Sequence, residues 1–150
     1  MKESINTALI VTIVVVIIGL IELLLFASFA YSKAYKVKNR IIDIIEENVD
    51  DVGDYSSTLF NTIDNEIAKI GYQVTNRGIN DCPDLGEDAV LQNYTSNYRY
   101  CVYKTVQNNT NKGVGTYYTV VSYMYFDTPF ISFNIPIKGS TKTIFNYEGR

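Results

Sequence analysis

Histidine is absent from this 150-residue sequence, cysteine occurs twice and proline three times. The absence of histidine excludes His-based catalytic triads, zinc sites that use imidazole, and imidazole proton shuttles. Two cysteines are too few to build a zinc or iron–sulfur site within one chain. Because these absences weaken most enzyme classes, we expect a protein that is not an enzyme, that carries no cofactor or metal, and that has no small-molecule substrate.

Basic residues are also scarce beyond the first forty positions. Residues 1–40 carry five basic and two acidic groups, whereas residues 41–150 carry eight basic and fourteen acidic groups. An acidic domain without a stripe of Lys and Arg argues against nucleic acid as a partner. The length suits one domain with a modest core.

A long apolar run extends from Ala8 to Tyr31 and contains one charged residue, Glu22. At about 1.5 Å per residue, a helix of this length is long enough to cross a bilayer. In lipid the backbone must satisfy its own hydrogen bonds, so helix is favoured despite the many Val and Ile residues. We therefore predict that residues 1–31 form the transmembrane helix of a single-pass membrane protein. The alternative is a signal peptide cleaved near Ala30.

The flanks of this span give conflicting indications of topology. Lys33, Lys36, Lys38 and Arg40 follow it, and the positive-inside rule places such a flank in the cytoplasm. The remaining chain is rich in Tyr, Asn, Thr and Ser, has cysteines at a spacing compatible with a disulfide, and lacks a cytoplasmic catalytic or nucleotide motif. We expect the protein to lie in the cell membrane with its domain, residues 32–150, outside the cytoplasm, and the opposite orientation is the alternative.

Helical periodicity continues beyond the span. Apolar residues recur every four positions over residues 37–49, and neither Gly nor Pro occurs within residues 21–51. The pattern predicts one continuous helix whose second part, at residues 32–52, presents an apolar stripe to a domain. A second, shorter helix is predicted at residues 57–70.

From Tyr98 the apolar period changes to two, which is typical of strands. The predicted strands lie at residues 98–106, 116–126, 130–137 and 141–147. Pro136 removes a ladder donor and indicates an edge strand or a bulge. Residues 72–75 are predicted as a short strand, and residues 76–97 as a loop with one helical turn at 88–92. The resulting fold class is α+β, with helices on one face of a three- or four-stranded antiparallel sheet.

The two cysteines, Cys82 and Cys101, are predicted to form a disulfide that attaches the loop over residues 83–100 to the first long strand. The alternative is a pair of buried free thiols. Catalysis by either thiol is not expected, because the chain has neither a histidine base nor a CxxC motif.

Four carboxylates, those of Asp81, Asp84, Glu87 and Asp88, cluster near Gly86. Their spacing lacks the alternation of an EF-hand, so we interpret them as a solvated acidic loop. A calcium site and a secreted enzyme that uses these carboxylates are the alternatives.

Glu22 breaks the rule that membrane spans are apolar. A carboxylate near the centre of a span costs about 2.5–3.5 kcal/mol on insertion scales, so a partner in the membrane is expected. Gly19, Ala27 and Ala30 supply small residues that permit close helix–helix contact. We therefore predict an intramembrane contact with another chain at these four residues, and a lipid-facing protonated Glu without a role is the alternative.

The stretch IIGLIELLLFASFAYSKAYKVKNRI, residues 17–41, resembles the N-terminal helix of TadE-like proteins, which are pseudopilin-like components of bacterial tight-adherence pilus systems. Its Gly-Leu-Ile-Glu step, residues 19–22, is similar to a Gly-Ile-Ile-Glu-like step in that family. Residues 120–145 are similar to the family's tail, in which an alternating strand runs into a Pro-containing turn and then a Gly-Ser-Thr strand. Together the two segments cover about a third of the chain.

This resemblance implies a non-enzymatic subunit that helps to assemble a surface pilus or a related secretion machine. Its expected partners are the lipid bilayer and other pilin-like or pilus-assembly proteins, which it would contact through the N-terminal helix. The alternative function is a membrane-anchored extracytoplasmic binding or sensor domain. Such a domain needs a concave pocket with convergent polar groups, whereas a filament subunit needs an apolar stripe along a protruding helix.

Overall fold

The computed structural model describes residues 2–48, 58–72, 82–92, 100–109, 113–127 and 132–146. It confirms the α+β fold class. The described elements, in chain order, are α1 (Lys2–Asn48), α2 (Thr58–Ile70), β1 (Ala89–Leu91), β2 (Tyr100–Asn109), β3 (Gly113–Asp127), β4 (Ser132–Ser140) and β5 (Ile144–Asn146).

α1 is one uninterrupted helix of 47 residues, about 70 Å long. The prediction of a continuous helix through the span and into the domain is thereby confirmed as far as Asn48. The Asn48 amide Nδ2 donates to the Ile44 carbonyl at 2.7 Å, which adds a side-chain hydrogen bond within the last turn. Residues 49–52, which were predicted to continue the helix, lie outside the described part of the chain.

The core lies between the second half of α1, α2 and one face of the sheet. Val37 and Ile41 are completely buried, and they are four residues apart, so both project from one side of α1. Ser122 Oγ on β3 donates to the Ala34 carbonyl at 2.9 Å, and the small Ala34 side chain leaves room for this approach. The buried residues of this core are Val37, Ile41, Ile44, Ile45, Leu59, Ile63, Ile67, Tyr72, Tyr100, Val102, Tyr118 and Val120.

All described strand pairs are antiparallel, in the order β1-β2-β3-β4. β3 is the central strand, and its 15 residues are long enough to pair with both β4 and β5 along one edge. β4 pairs with Thr119–Asp127, while β5 pairs with Val114–Thr116. The four strands predicted from the sequence are therefore present, with ends that shift by a few residues.

β1 corrects the prediction for residues 88–92, which were expected to form a helical turn within a loop. Ala89 instead pairs with Thr105 and Leu91 with Tyr103 in the sheet. Three residues are too few to show a period of two, and pairing with β2 decides their conformation. Of the short strand predicted at residues 72–75, Tyr72 is not in a strand and the rest lies outside the described residues.

Tyr72 connects the end of α2 to the sheet. Gly71, with φ of 70°, adopts the left-handed conformation that ends a helix in a Schellman motif. The expected bonds are present, since Gly71 N donates to Ala68 O and Tyr72 N donates to Ile67 O. The buried Tyr72 hydroxyl then donates to Tyr123 O at 3.0 Å and accepts from Tyr123 N at 2.8 Å.

The same bonds explain why Pro136 is accepted in β4. Pro136 lies directly opposite Tyr123 in the β3–β4 ladder. Because both backbone polar groups of Tyr123 point toward Tyr72, the pair occupies a non-hydrogen-bonded position. The nitrogen of Pro136 then faces away from β3, so no ladder bond is lost. β4 ends the strand order, in agreement with the predicted edge strand.

The other face of the sheet is covered by the segment that contains β1. Cys82 and Cys101 form a disulfide with their Cα atoms 5.9 Å apart. Tyr103 Oη donates to the Pro83 carbonyl. Burial, with smaller contributions from Tyr123 and Asp84, raises the pKa of Tyr103 to about 12.

We expect Tyr72→Phe to destabilise the domain by about 1–3 kcal/mol, because it leaves the amide and carbonyl of Tyr123 buried without their partner. Tyr35→Phe is the matched control, since Tyr35 lies on the exposed side of α1. Urea unfolding of the two variants in detergent, followed by near-ultraviolet circular dichroism, measures the difference. Equal stability of both variants would contradict the assigned role of Tyr72.

Non-reducing mass spectrometry should find a single bridge between Cys82 and Cys101, whose loop closure stabilises the fold by roughly 3 kcal/mol in the chain-entropy model. Two alkylatable thiols in protein prepared without reductant would reject it. In a Cys82→Ser, Cys101→Ser double variant, hydrogen exchange should accelerate over residues 82–92 more than over the core half of α1. Without the bridge, that segment is held by one short strand and by the hydrogen bond between Tyr103 and Pro83, whereas the core half of α1 is held by the main core.

Candidate functional site

The first half of α1 carries the largest exposed apolar surface in the described part of the chain. Its large apolar side chains from Leu9 to Phe29 are between 46% and 74% exposed. Among the described residues, α1 is the one helix long and apolar enough to cross a membrane, with a mean hydropathy of 3.1 and none of that window buried. Apolar surface this extensive is rare on soluble monomers, and a bilayer accommodates it. The helix therefore fits membrane anchoring.

Tyrosines mark the level at which the apolar run ends. The rings of Tyr31 and Tyr35 stack with centroids 6.3 Å apart, and Lys38 Nζ lies 4.2 Å from the centre of the Tyr35 ring. Tyr and Lys are favoured at the boundary between hydrocarbon and water, because each combines an apolar body with a polar end. The aliphatic part of Lys38 packs closely against Gly139 of the domain. A Cβ added at Gly139 would lie only 2.8 Å from Lys38 Cδ.

On another side of α1, an open cleft with a volume of about 250 Å³ separates the end of the span from the near edge of the domain. Its wall on the domain side is formed by Gly71 and three tyrosines, and the rings of Tyr72 and Tyr125 are tilted by 59° with centroids 6.0 Å apart. The residues that line the cleft are Phe26, Phe29, Ala30, Lys33, Ala34, Gly71, Tyr72, Tyr123 and Tyr125.

Lys33 brings positive charge to the rim of this cleft. Its Nζ donates to the Gly71 carbonyl at 3.2 Å. Carbonyls at a helix C-terminus carry partial negative charge, so this contact ties the end of the span to the end of α2. An ammonium group has three donors, and Gly71 accepts from one of them.

Glu22 lies on the same side of α1 as the cleft, but deeper in the apolar half. Glu22, Phe26, Phe29 and Lys33 follow the spacing i, i+4, i+7 and i+11, which places them along one face of a helix. The last three line the cleft. Glu22 itself is exposed, about 16 Å along the axis from Lys33.

The small residues predicted to accompany Glu22 do not all share its surroundings. Ala30 lines the cleft and faces the domain, and Ala27 is half-buried. A Cβ at Gly19 would meet nothing within 4 Å, so a neighbouring helix can approach it closely. Glu22 and Gly19, three residues apart, therefore form the part of the predicted contact that another chain can reach. The intramembrane contact stays a prediction.

Other basic residues after the span contact the rest of the domain. Arg40 Nη2 lies 3.2 Å from Glu66 Oε2 on α2, and Lys69 bonds the other oxygen of the same carboxylate. Hydrogen bonds from Lys69 and Arg40 lower the pKa of Glu66 below its usual value. Together with Lys33 and Lys38, Arg40 thus has a structural role in holding α1 against the domain.

Within the acidic cluster, Asp84 acts in a turn. Its Oδ1 accepts a hydrogen bond from Gly86 N at 2.9 Å, and Gly86 has a φ of 103°. Glu87 and Asp88 are exposed, and Asp81 lies outside the described residues. Across the described ranges, no group of three or more His, Cys, Asp or Glu side chains is placed to hold a metal ion.

Sequence reasoning missed the cleft. Tyr72, Tyr123 and Tyr125 match the composition of any half-buried sheet, and Phe26 and Phe29 match that of any membrane span. Between 43 and 99 positions separate the two sets in the chain, so local patterns carry no signal that they meet.

Comparisons with family models, with curated proteins and with solved structures give no match to this chain. The features of the chain that bear on its function are therefore the exposed half of α1, Glu22 and the cleft.

Proposed function

We propose that this protein is a membrane-anchored, pseudopilin-like subunit that takes part, through the exposed half of α1, in the assembly of a surface pilus or a related secretion machine. The observation that carries the proposal is the division of α1 into an apolar half that no other described element covers and a half that packs into the domain. This plan gives each subunit a protruding apolar rod that neighbouring helices can contact. The resemblance of residues 17–41 to TadE-like proteins supports the same role.

Glu22 distinguishes an assembling helix from a simple anchor. An anchor gains nothing from a carboxylate in lipid, which costs about 2.5–3.5 kcal/mol near the centre of a span. The closest basic residue in the helix is Lys33, about 16 Å away, and its ammonium group is bonded to Gly71 O. A cation or hydrogen-bond donor for Glu22 is therefore expected from another chain.

The proposal places the domain outside the cytoplasm. A disulfide between Cys82 and Cys101 is typical of oxidising compartments. The basic flank is the feature that favours the opposite orientation, but Lys33, Lys38 and Arg40 have contacts within the protein that account for their presence. The basic flank is thus weaker evidence for a cytoplasmic domain than the number of its Lys and Arg residues indicates.

Protease treatment of intact cells tests this orientation. A tag placed after Arg150 should be removed without lysis, whereas a tag placed before Met1 should be protected. Both tags are on the same chain, so each serves as the control for the other. A C-terminal tag that stays protected until the membrane is broken would overturn the orientation and, with it, the pilus role.

Substitution of Glu22 tests assembly. With a photo-crosslinking residue at Leu25, Glu22→Leu should insert at least as well as the wild type but lose cross-linked partners about tenfold, the ratio that corresponds to ~1.4 kcal/mol. Glu22→Gln, which retains hydrogen bonding, should lose less. Thr12→Leu is the matched control, because it also removes a polar group from the span, but one already bonded to Ala8 O.

Mass spectrometry of the cross-linked bands should identify further copies of this chain or pilus-assembly proteins. If Glu22→Leu recovers the same partners at the wild-type yield, Glu22 plays no part in assembly. If the bands contain neither kind of protein, the pilus role is wrong even if the membrane anchoring holds.

One observation favours the second candidate, a membrane-anchored binding or sensor domain, and that observation is the cleft beside Lys33. Such a role predicts that Glu22→Leu leaves function intact while substitutions in the cleft abolish it. The two candidate functions therefore need different ends of this helix face: assembly needs Glu22, and binding or sensing needs the cleft at Lys33.

A further inference from the structure

We propose that the cleft between α1 and the domain holds an anionic phospholipid of the leaflet that adjoins the domain. One acyl chain would lie against the phenyl and tyrosine rings, and the phosphate would lie at Lys33. The inference depends on the membrane anchoring of α1 and is independent of the pilus role.

The position of the cleft points to the bilayer as the source of its ligand. Phe26 and Phe29, which line it, are 49% and 74% exposed and belong to the continuous apolar surface that begins at Leu9. Lys33, one turn above Phe29, is the first charged residue after that surface. The cleft is therefore open to the hydrocarbon of the bilayer at Phe26 and Phe29, and it reaches the level of the lipid headgroups at Lys33.

Its size suits part of a lipid. Pockets that enclose a whole small molecule are typically about 300–1,000 Å³. The cleft, at about 250 Å³, is smaller and open on one side. It fits a segment of a larger molecule whose remainder stays in the bilayer, and an acyl chain meets that description.

The chemistry of the walls favours an apolar ligand. Tyr72 and Tyr123 are 5% and 4% exposed, and the Tyr72 hydroxyl is already bonded to the Tyr123 backbone. The Tyr123 hydroxyl lies 3.7 Å from Cys101 Sγ, so both hydroxyls have contacts within the protein and add little polar surface to the cleft. A sugar or another polar ligand would lose hydrogen bonds to water on entering the cleft, and the lining offers too few donors and acceptors to replace them.

The rim supplies the charge that selects an anionic headgroup. Lys33 is exposed, and its bond to Gly71 O holds the ammonium group at the cleft while further donors stay available. Among the residues that line the cleft, Lys33 is the one with a charged side chain. A lipid phosphate at this level satisfies its charge without leaving the membrane surface.

The acyl-chain contact is tested with the full-length chain in nanodiscs. The sequence has no tryptophan, so Tyr125→Trp introduces a single reporter on the domain wall of the cleft. Lipids brominated in the acyl chain should quench this tryptophan. Ala30→Phe, which fills the cleft, should abolish the quenching, whereas Ser28→Phe should leave it unchanged because residue 28 projects from nearly the opposite side of α1.

The headgroup contact is tested by native mass spectrometry of the chain without the reporter, released from mixed phosphatidylglycerol and phosphatidylcholine. Retention of phosphatidylglycerol over phosphatidylcholine should be about fivefold, the ratio expected from one lysine at the membrane surface. Lys33→Gln should remove this preference. Lys36→Gln is the matched control, since Lys36 is an exposed base on the same helix that does not line the cleft.

Two results would overturn the proposal. One is a preference for phosphatidylglycerol that Lys33→Gln and Lys36→Gln reduce equally, which would indicate a general basic surface. The other is an absence of lipid in the cleft together with a cross-link from residue 30 to a second copy, which would show that a neighbouring helix fills it. The mass-spectrometric measurement needs no substitution at Tyr125. It therefore still tests the proposal if the Tyr125→Trp variant fails to fold.

Discussion

The unbroken backbone hydrogen bonding of α1 is the constraint on which the rest of the structure depends. In its apolar half, the helix is the conformation that satisfies every amide where water is absent. In its second half, the same helix presents Val37 and Ile41 to the sheet and to α2. Since no break separates the two halves, the rotation of the helix fixes both the residues that the domain covers and the position of Glu22, which lies below the cleft on the same side of α1.

The domain packs along the whole second half of this helix, from Ala34 to Glu46, and three polar contacts lie at the near end. Ser122 bonds the Ala34 carbonyl, Lys33 bonds the end of α2, and Tyr72 joins the end of α2 to β3. These contacts lie within about one turn of the point where the apolar run stops. The membrane boundary and the docking of the domain are therefore parts of one local arrangement, and the cleft is the space that remains between them.

Much of this architecture follows from local patterns in the sequence. The four-residue recurrence over residues 37–49 predicted the core face of α1, and the change to a period of two predicted the strands that became β2 to β5. The three-residue β1 was missed, because its conformation comes from pairing with β2. The cleft was missed for a related reason, since Phe29 and Tyr123 meet through tertiary packing that no short window of sequence records.

The absence of a hinge in α1 also has a mechanical consequence. Membrane helices tilt by about 20° on average, and a rigid rod transmits such a tilt in full. From Tyr31 to Asn48 the helix rises about 25 Å, so a tilt of that size displaces its far end sideways by roughly 9 Å. The helix therefore acts as a lever, and any force or bilayer thickness that changes its angle is converted directly into a movement of the domain across the membrane surface.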